Sequence, residues 1–116
     1  MSLFDGRDLV TMMRETAEEA QGCLDSKLAL AKEAAEKEAE YRAKKAKKML
    51  DLTTGGLSVS LATVLADGDK AVGAAKVAWQ CAVALADAND DQHLLRKKEL
   101  GILADEYNRQ WTAAGR

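Results

Sequence analysis

Five basic side chains occupy seven consecutive positions and form the sharpest charge feature of the sequence. They are Arg42, Lys44, Lys45, Lys47 and Lys48. Clustered cations bind phosphate, because each contact neutralises a phosphate charge and releases a counterion. They are also typical of a solvated face near the end of a helix, where the dipole favours cations and Glu40 can pair with Lys44. Tyr41 alone flanks the cluster, too few rings for stacking on single-stranded bases even if Trp79 lies nearby.

A group of carboxylates is the second candidate surface. Asp87, Asp90 and Asp91 lie within five positions of one another. Clustered carboxylates can mimic the phosphates of a nucleic acid and occupy a channel that binds it. We predict this acidic group as the alternative to the basic cluster for contact with a partner.

Residue types that catalysis and metal binding require are sparse. The sequence has one histidine, His93, and two cysteines, Cys23 and Cys81, which we interpret as small apolar residues of a cytosolic protein. No glutamate stands three positions before His93, as a di-iron helical bundle requires. The segment 53–56 (Thr-Thr-Gly-Gly) lacks the lysine of a phosphate-binding loop. We therefore predict no enzyme, no metal and no cofactor.

Long helices must position these side chains. The 116 residues include 22 alanines and no proline, but only 12 Val, Ile, Phe, Tyr and Trp residues. A β-sandwich or barrel needs more branched and aromatic residues than that, so we predict a single all-α domain over residues 1–116. The net charge of −2 argues against the whole chain acting as an electrostatic ligand for nucleic acid.

Capping and stop signals divide the chain into three helices. Asp5 can cap a first helix over about 6–52, which the glycine pair at 55–56 ends. Ser58 or Ser60 can cap a short helix over about 60–66.

The last helix begins after Asp69, a second capping residue, and extends over about 70–113. Two helices of this length predict a long antiparallel hairpin that resembles a coiled coil, with the short helix as a cap.

Apolar lines along the two long helices predict how they pair. In the first helix we expect an alanine-rich line with a mean step near 3.7, formed by Met13, Ala17, Ala20, Leu24, Leu28, Ala31, Ala35, Ala39, Ala43, Ala46 and Leu50. In the last helix steps of three and four predict a heptad seam formed by Val72, Ala75, Trp79, Ala82, Ala86, Asn89, His93, Arg96, Leu100, Leu103, Tyr107 and Trp111. Antiparallel pairing would then place Cys23 near position 97 and His93 near Lys27.

Polar residues interrupt the heptad seam at Asn89, His93 and Arg96. Such residues cost stability but fix register and oligomeric state, and we interpret them in this way. A ligand- or pH-sensing role for His93 is the alternative.

The stretch 71–88 is apolar on nearly every face, with 14 apolar residues of 18. It is too rich in alanine and polar residues to cross a membrane. One partner helix covers only one face, so we predict a homo-oligomer, most simply a dimer that forms a four-helix bundle. Its predicted interface is Val72, Ala75, Trp79, Ala82, Leu85 and Ala86. Docking of a different protein on the same face is the alternative.

Three segments of the sequence together carry a resemblance. They are 40–44 (EYRAK), 56–62 (GLSVSLA) with 67–72 (DGDKAV), and 106–111 (EYNRQW). Over residues 36–112 the chain resembles small all-helical proteins encoded in bacteriophage and prophage genomes. The resemblance implies a phage accessory protein of the bacterial cytoplasm that acts by binding, for instance to host defence machinery. The N-terminus also lacks the basic region and apolar core of a signal peptide.

These observations predict a non-enzymatic protein-binding module, a phage-encoded inhibitor or adaptor of a larger host complex of the anti-CRISPR type. The alternative is a nucleic-acid-binding accessory protein of phage recombination or replication that uses the basic residues 42–48. Two further possibilities are a structural scaffold and a ligand site in the oligomer core, lined by Trp79, Asn89, His93 and Arg96. We predict no membrane partner.

Overall fold

The chain folds into three helices, as a computed structural model shows for residues 6–114. They are α1 (Gly6–Thr54), α2 (Val59–Asp67) and α3 (Lys70–Ala114). The described residues contain no β-strand. The predicted all-α class, with a helical hairpin and a short helix between its arms, is confirmed. The predicted cap Asp5 lies outside the described residues.

The end of α1 is fixed by hydrogen bonds across the glycine pair. The Leu57 N–H donates to the Leu52 carbonyl at 3.2 Å, and the Gly56 N–H donates to the Thr53 carbonyl at 3.0 Å. Gly56 has a φ of 99°, a conformation that side chains disfavour. This pair of bonds satisfies carbonyls that the last turn leaves open, so the predicted stop signal is confirmed.

Two short polar side chains begin the following helices. The Ser58 hydroxyl accepts from the Leu61 N–H at 3.3 Å, which makes Ser58 the cap of α2. The Asp69 carboxylate accepts from the N–H groups of Ala71 and Val72, both at 3.1 Å. Both side chains fill the role that the sequence indicates, because each satisfies donors that the first turn of a helix leaves open.

The helices divide into two compact units. The central unit comprises Leu28–Ala86, and the terminal unit comprises residues up to 27 and from 87 onward. In the central unit Tyr41 of α1 stacks on Trp79 of α3. In the terminal unit Cys23 pairs with Asn89, and Ala20 pairs with His93. Within each unit α1 and α3 run antiparallel.

The seam of α3 follows the predicted heptad positions. Val72 and Ala75 are buried, and the later positions as far as Tyr107 are half-buried. Trp111, the last residue of the predicted seam, is exposed.

The predicted seam of α1 is wrong at all its positions except Met13 and Ala20. Its other alanines, together with Leu24, Leu28 and Leu50, are exposed. The buried or half-buried positions of α1 are Leu9, Met12, Met13, Thr16, Ala20, Cys23, Leu30, Ala34, Lys37, Glu38, Tyr41, Lys45, Lys48, Met49, Leu52 and Thr53. Burying one alanine methyl contributes little, about 0.8 kcal/mol, so larger side chains such as Leu9 and Tyr41 decide which face turns inward.

The register predicted for the terminal unit is also wrong. Cys23 lies beside Asn89 and not near position 97, and His93 lies beside Ala20 and not near Lys27. Each offset equals about two helical turns. The prediction used one alignment of α1 and α3 for the whole hairpin. The stacking of Tyr41 on Trp79 in the central unit agrees with that alignment.

Few apolar side chains are fully buried. Among the described residues the buried apolar set is Leu9, Ala20, Ala62, Ala66, Val72 and Ala75. Four of these are alanines, so the chain alone removes little apolar surface from water. No described helix combines the length and apolarity needed to cross a membrane.

Candidate functional site

The five predicted basic residues divide into paired and unpaired side chains. The Arg42 guanidinium donates to a Glu38 carboxylate oxygen through Nη2 at 2.7 Å and through Nε at 3.0 Å. This pair lies along one face of α1, at positions one turn apart. It uses two of the five guanidinium N–H donors and leaves the rest for other acceptors.

Lys45 joins α1 to the end of α2. Its ammonium lies 2.9 Å from an Asp67 carboxylate oxygen and 6.0 Å from the centre of the Tyr41 ring. The hydrogen bond to Asp67 raises the pKa of Lys45 above 10.5, against the smaller effect of its burial. Lys45 therefore links α1 to α2 within the central unit, and it also adds to the positive charge of that unit.

Lys48 makes a second link between elements. Its ammonium lies 3.5 Å from Asp69, the residue that caps α3. The hydrogen bond from the Val72 N–H is the main cause that lowers the pKa of Asp69 below 3.8, and the charge of Lys48 adds to it. The expectation that Lys45 and Lys48 belong to a purely solvated face is therefore wrong.

Lys44 and Lys47 carry the unpaired charge of the cluster. Both side chains are exposed, and neither makes an ion pair among the described residues. Glu40, the predicted partner of Lys44, pairs with Lys37 at 3.7 Å instead. The two lysines line an open groove of about 310 Å³, together with Lys48, Asp51, Asp69, Ala71 and Val72.

A second groove lies at the aromatic pair of the central unit. The Tyr41 and Trp79 rings stack with their centroids 5.5 Å apart and an interplanar angle of 13°. This open groove has a volume of about 650 Å³. Its other lining residues are Arg42, Lys45, Ala46, Met49, Lys76 and Gln80. Sequence reasoning missed Lys76, although its spacing of three from Trp79 places both on neighbouring positions of one helix face.

The predicted acidic surface lies on α3 in the terminal unit. Asp87 and Asp91 are exposed, and Asp90 is half-buried. Asp87 and Asp91 are one turn apart and so face the same side of the helix. Within the described part of the chain, no group of three or more histidine, cysteine or carboxylate side chains could hold a metal ion.

The residues predicted as an oligomer interface are mostly engaged within the chain itself. Val72 and Ala75 are buried, Trp79 stacks on Tyr41, and Ala82 and Ala86 are half-buried. Val72 and Ala75 are covered within one chain, so little of either side chain remains for contact with a second copy. The interface itself stays a prediction.

Exposed apolar side chains lie elsewhere in the central unit. On α3 they include Val77, Val83 and Leu85, the one predicted interface residue that is exposed. On α2 they are Val59, Leu61, Val64 and Leu65. The sequence contains a signal for the α2 face, because a nine-residue helix with large apolar residues around its circumference cannot turn all of them toward one neighbour.

The polar residues of the α3 seam bind α1 within the terminal unit. The Asn89 amide donates to the Cys23 carbonyl at 2.8 Å, and His93 donates through Nδ1 to the Ala20 carbonyl at 3.0 Å. Arg96 Nε lies 2.7 Å from a Glu19 carboxylate oxygen. These bonds use one nitrogen of Asn89 and one of His93, and the ligand site in an oligomer core stays a prediction.

No protein-family model, curated protein or solved structure matches this chain.

Proposed function

We propose that this chain is a non-enzymatic binding module that associates with itself and with a larger protein partner. In the concrete form that we favour, it is a phage-encoded inhibitor or adaptor that acts on a host complex in the bacterial cytoplasm, such as a CRISPR-type defence effector. The resemblance to small phage proteins supports the origin. The exposed apolar surface of the central unit supports the mode of action.

The shortage of buried apolar side chains is the observation that carries this proposal. Six apolar side chains are buried among the described residues, and four of them are alanines. Large apolar side chains of the central unit remain exposed instead. Covering them against a second copy would remove their apolar surface from water and stabilise the fold.

The apolar face of α2 is the best candidate for the contact. Val59 and Val64 are each 66% exposed, and Leu61 and Leu65 are 46% and 44% exposed. Only Ala62 and Ala66 of this helix are buried. Contiguous apolar patches on a protein surface mark sites of interaction. Leu61, Val64 and Leu65 form such a patch, because their spacings of three and four place them on one face of α2.

Light scattering on the purified chain tests self-association. We expect about twice 12.5 kDa at micromolar concentration. The double variant Leu61→Lys/Val64→Lys should give the monomer mass, because it places two charges on this face of α2. The matched control is Ile102→Lys, a change at a residue of similar exposure on α3, and it should keep the mass of the unmodified protein. A monomeric unmodified protein would refute self-association.

Affinity capture from a bacterial lysate tests the larger partner. A host protein complex captured by the unmodified chain and by Ile102→Lys, but lost with Leu61→Lys/Val64→Lys, would support contact through α2. Capture of the same complex by the α2 variant would indicate contact through the acidic group instead. The triple variant Asp87→Asn/Asp90→Asn/Asp91→Asn tests that contact.

A second candidate function is nucleic-acid binding, as in an accessory protein of phage recombination or replication. The unpaired Lys44 and Lys47 favour it, because their charges are free to neutralise phosphates. Lys44→Glu/Lys47→Glu should weaken DNA binding at about 50 mM salt and reduce the dependence of affinity on salt. Lys97→Glu/Lys98→Glu, at exposed residues of α3, is the charge-matched control. No binding by the unmodified chain at that salt concentration would refute this candidate.

A further inference from the structure

We infer that the groove beside the Tyr41–Trp79 stack binds a nucleotide unit, a base joined to a phosphate, as presented by single-stranded nucleic acid. The inference rests on the second candidate function above and specifies the form of nucleic acid. The groove lies wholly in the central unit, and it brings two aromatic rings and three cationic side chains together.

The aromatic pair provides a flat surface for a base. The two rings are nearly parallel, at 13°, and both side chains are half-buried, so that part of the stack remains open to the groove. Bases of any sequence stack on aromatic side chains, because every base has a π-face. Two rings are too few for a run of bases, as the sequence indicates, but they suffice for the single base proposed here. Tyr41 and Trp79 hold each other in one orientation, which lowers the entropy lost when a base adds to the stack.

Cationic side chains line the same groove and can hold a phosphate. Lys76 is exposed and makes no ion pair among the described residues. Arg42 is 72% exposed, and its contact with Glu38 leaves guanidinium donors free. Arginine and lysine close to aromatic rings match the alternation of phosphates and bases in a single strand.

Gln80 can form hydrogen bonds to the edge of a base. Its side chain is exposed and lines the groove. The amide offers both donors and acceptors to the edge of a base. The groove of about 650 Å³ falls in the size range of sites for small molecules and cofactors, and its open side leaves room for a strand to enter and leave.

The direct test uses Trp79 as the reporter. The sequence has two tryptophans, so Trp111→Phe leaves Trp79 as the only tryptophan, which is excited at a wavelength that tyrosine does not absorb. We expect a twelve-nucleotide oligothymidylate to quench this emission at about 50 mM salt. Thymidine monophosphate should quench it only at much higher concentration. Equal quenching by both ligands, at equal affinity, would assign the site to a free nucleotide and would overturn the single-stranded form.

Variants of the lining separate the groove from the lysine pair. In the Trp111→Phe protein, Lys76→Ala and Arg42→Ala should each weaken oligonucleotide binding about tenfold, whereas Lys97→Ala should have no effect. Lys44→Glu/Lys47→Glu should weaken binding but leave the quenching at saturation unchanged. Circular dichroism checks that each variant remains helical.

Three outcomes would overturn the inference. Binding of a labelled oligonucleotide, seen by anisotropy, without a change in Trp79 emission and without an effect of Lys76→Ala would refute the groove and leave the second candidate function standing. Displacement by polyglutamate at equal charge concentration would show that the site needs no base. The absence of binding by any measure would refute both.

Discussion

The central and terminal units differ in where they place their polar chemistry. The central unit has nine basic and seven acidic side chains, a net charge of +2, and the terminal unit has eight and twelve, a net charge of −4. In the central unit Lys45 and Lys48 link α1 to the ends of α2 and α3 at the surface. In the terminal unit Asn89 and His93 bind backbone carbonyls of α1 from seam positions.

The difference indicates a division of roles along one helical hairpin. Bonds from seam side chains to backbone carbonyls fix how two helices are aligned, because a slip by one turn breaks them. The terminal unit therefore fixes the alignment of its parts of α1 and α3. The central unit carries the exposed apolar face of α2, the unpaired lysines and the aromatic groove, and these are the features that suit a partner.

The largest expected effect concerns Leu9 of the terminal unit, the one large side chain that is fully buried among the described residues. Leu9→Ala should lower the free energy of unfolding by about 3 kcal/mol, from lost burial and the cavity left behind. Leu28→Ala, at a residue that is 80% exposed, should change it by less than about 0.5 kcal/mol. Urea denaturation measures both. Equal effects of the two changes would contradict the assignment of Leu9 to the core.

Gly56 provides the next test, on the central unit. Gly56→Ala should cost about 1–2 kcal/mol, because an alanine disfavours the positive φ of this position. Gly101→Ala should instead stabilise by about 0.5–1 kcal/mol, since an added methyl meets no atom within 4 Å in the middle of α3. Thermal denaturation of both variants gives the comparison. A stabilising Gly56→Ala would show that this turn does not need its glycine.

Asn89 tests the role of the polar seam. Asn89→Ala should cost about 1 kcal/mol through loss of the hydrogen bond to the Cys23 carbonyl. Gln92→Ala, at an exposed neighbour, is the control and should change stability by less than about 0.5 kcal/mol. Hydrogen exchange should show the loss of protection in the terminal unit first. Equal loss of hydrogen-exchange protection in both units would contradict the proposed division of roles.

The smallest expected effect is on the pH dependence of folding stability that Asp69, the cap of α3, produces. The pKa of Asp69 is lower in the folded chain than its ordinary value of 3.8. Its contribution to stability is therefore present above pH 3.8 and is lost as the pH falls through the folded pKa. Asp69→Asn should narrow the difference in melting temperature between about pH 5 and about pH 2. An unchanged difference would contradict the proposed coupling of this cap to protonation.

Much of the fold could be predicted from local signals. The glycine pair, Ser58 and Asp69 act through neighbours a few positions away, so the sequence contains the whole interaction. The α3 seam was also predictable, because Trp79, Leu100 and Tyr107 are large enough to mark its spacing.

The α1 seam and part of the candidate site could not be predicted in the same way. Alanines surround α1, so their positions did not distinguish the inward face from the outward face. The pairing of Lys45 with Asp67 and of Lys48 with Asp69 depends on where α2 ends in space. Side chains that share a groove from different helices, such as Arg42 and Lys76, become neighbours only once the register is known.

The hydrogen bonds of Asn89 and His93 have a consequence for how the sequence can change. Their acceptors on α1 are main-chain carbonyls, which every amino acid supplies. Residues 20 and 23 can therefore vary among side chains that fit the space without loss of these acceptors. A single change at position 89 or 93 removes a donor that no other residue supplies. The donors of these two bonds thus reside in α3, and their acceptors place no demand on the side-chain chemistry of residues 20 and 23 in α1.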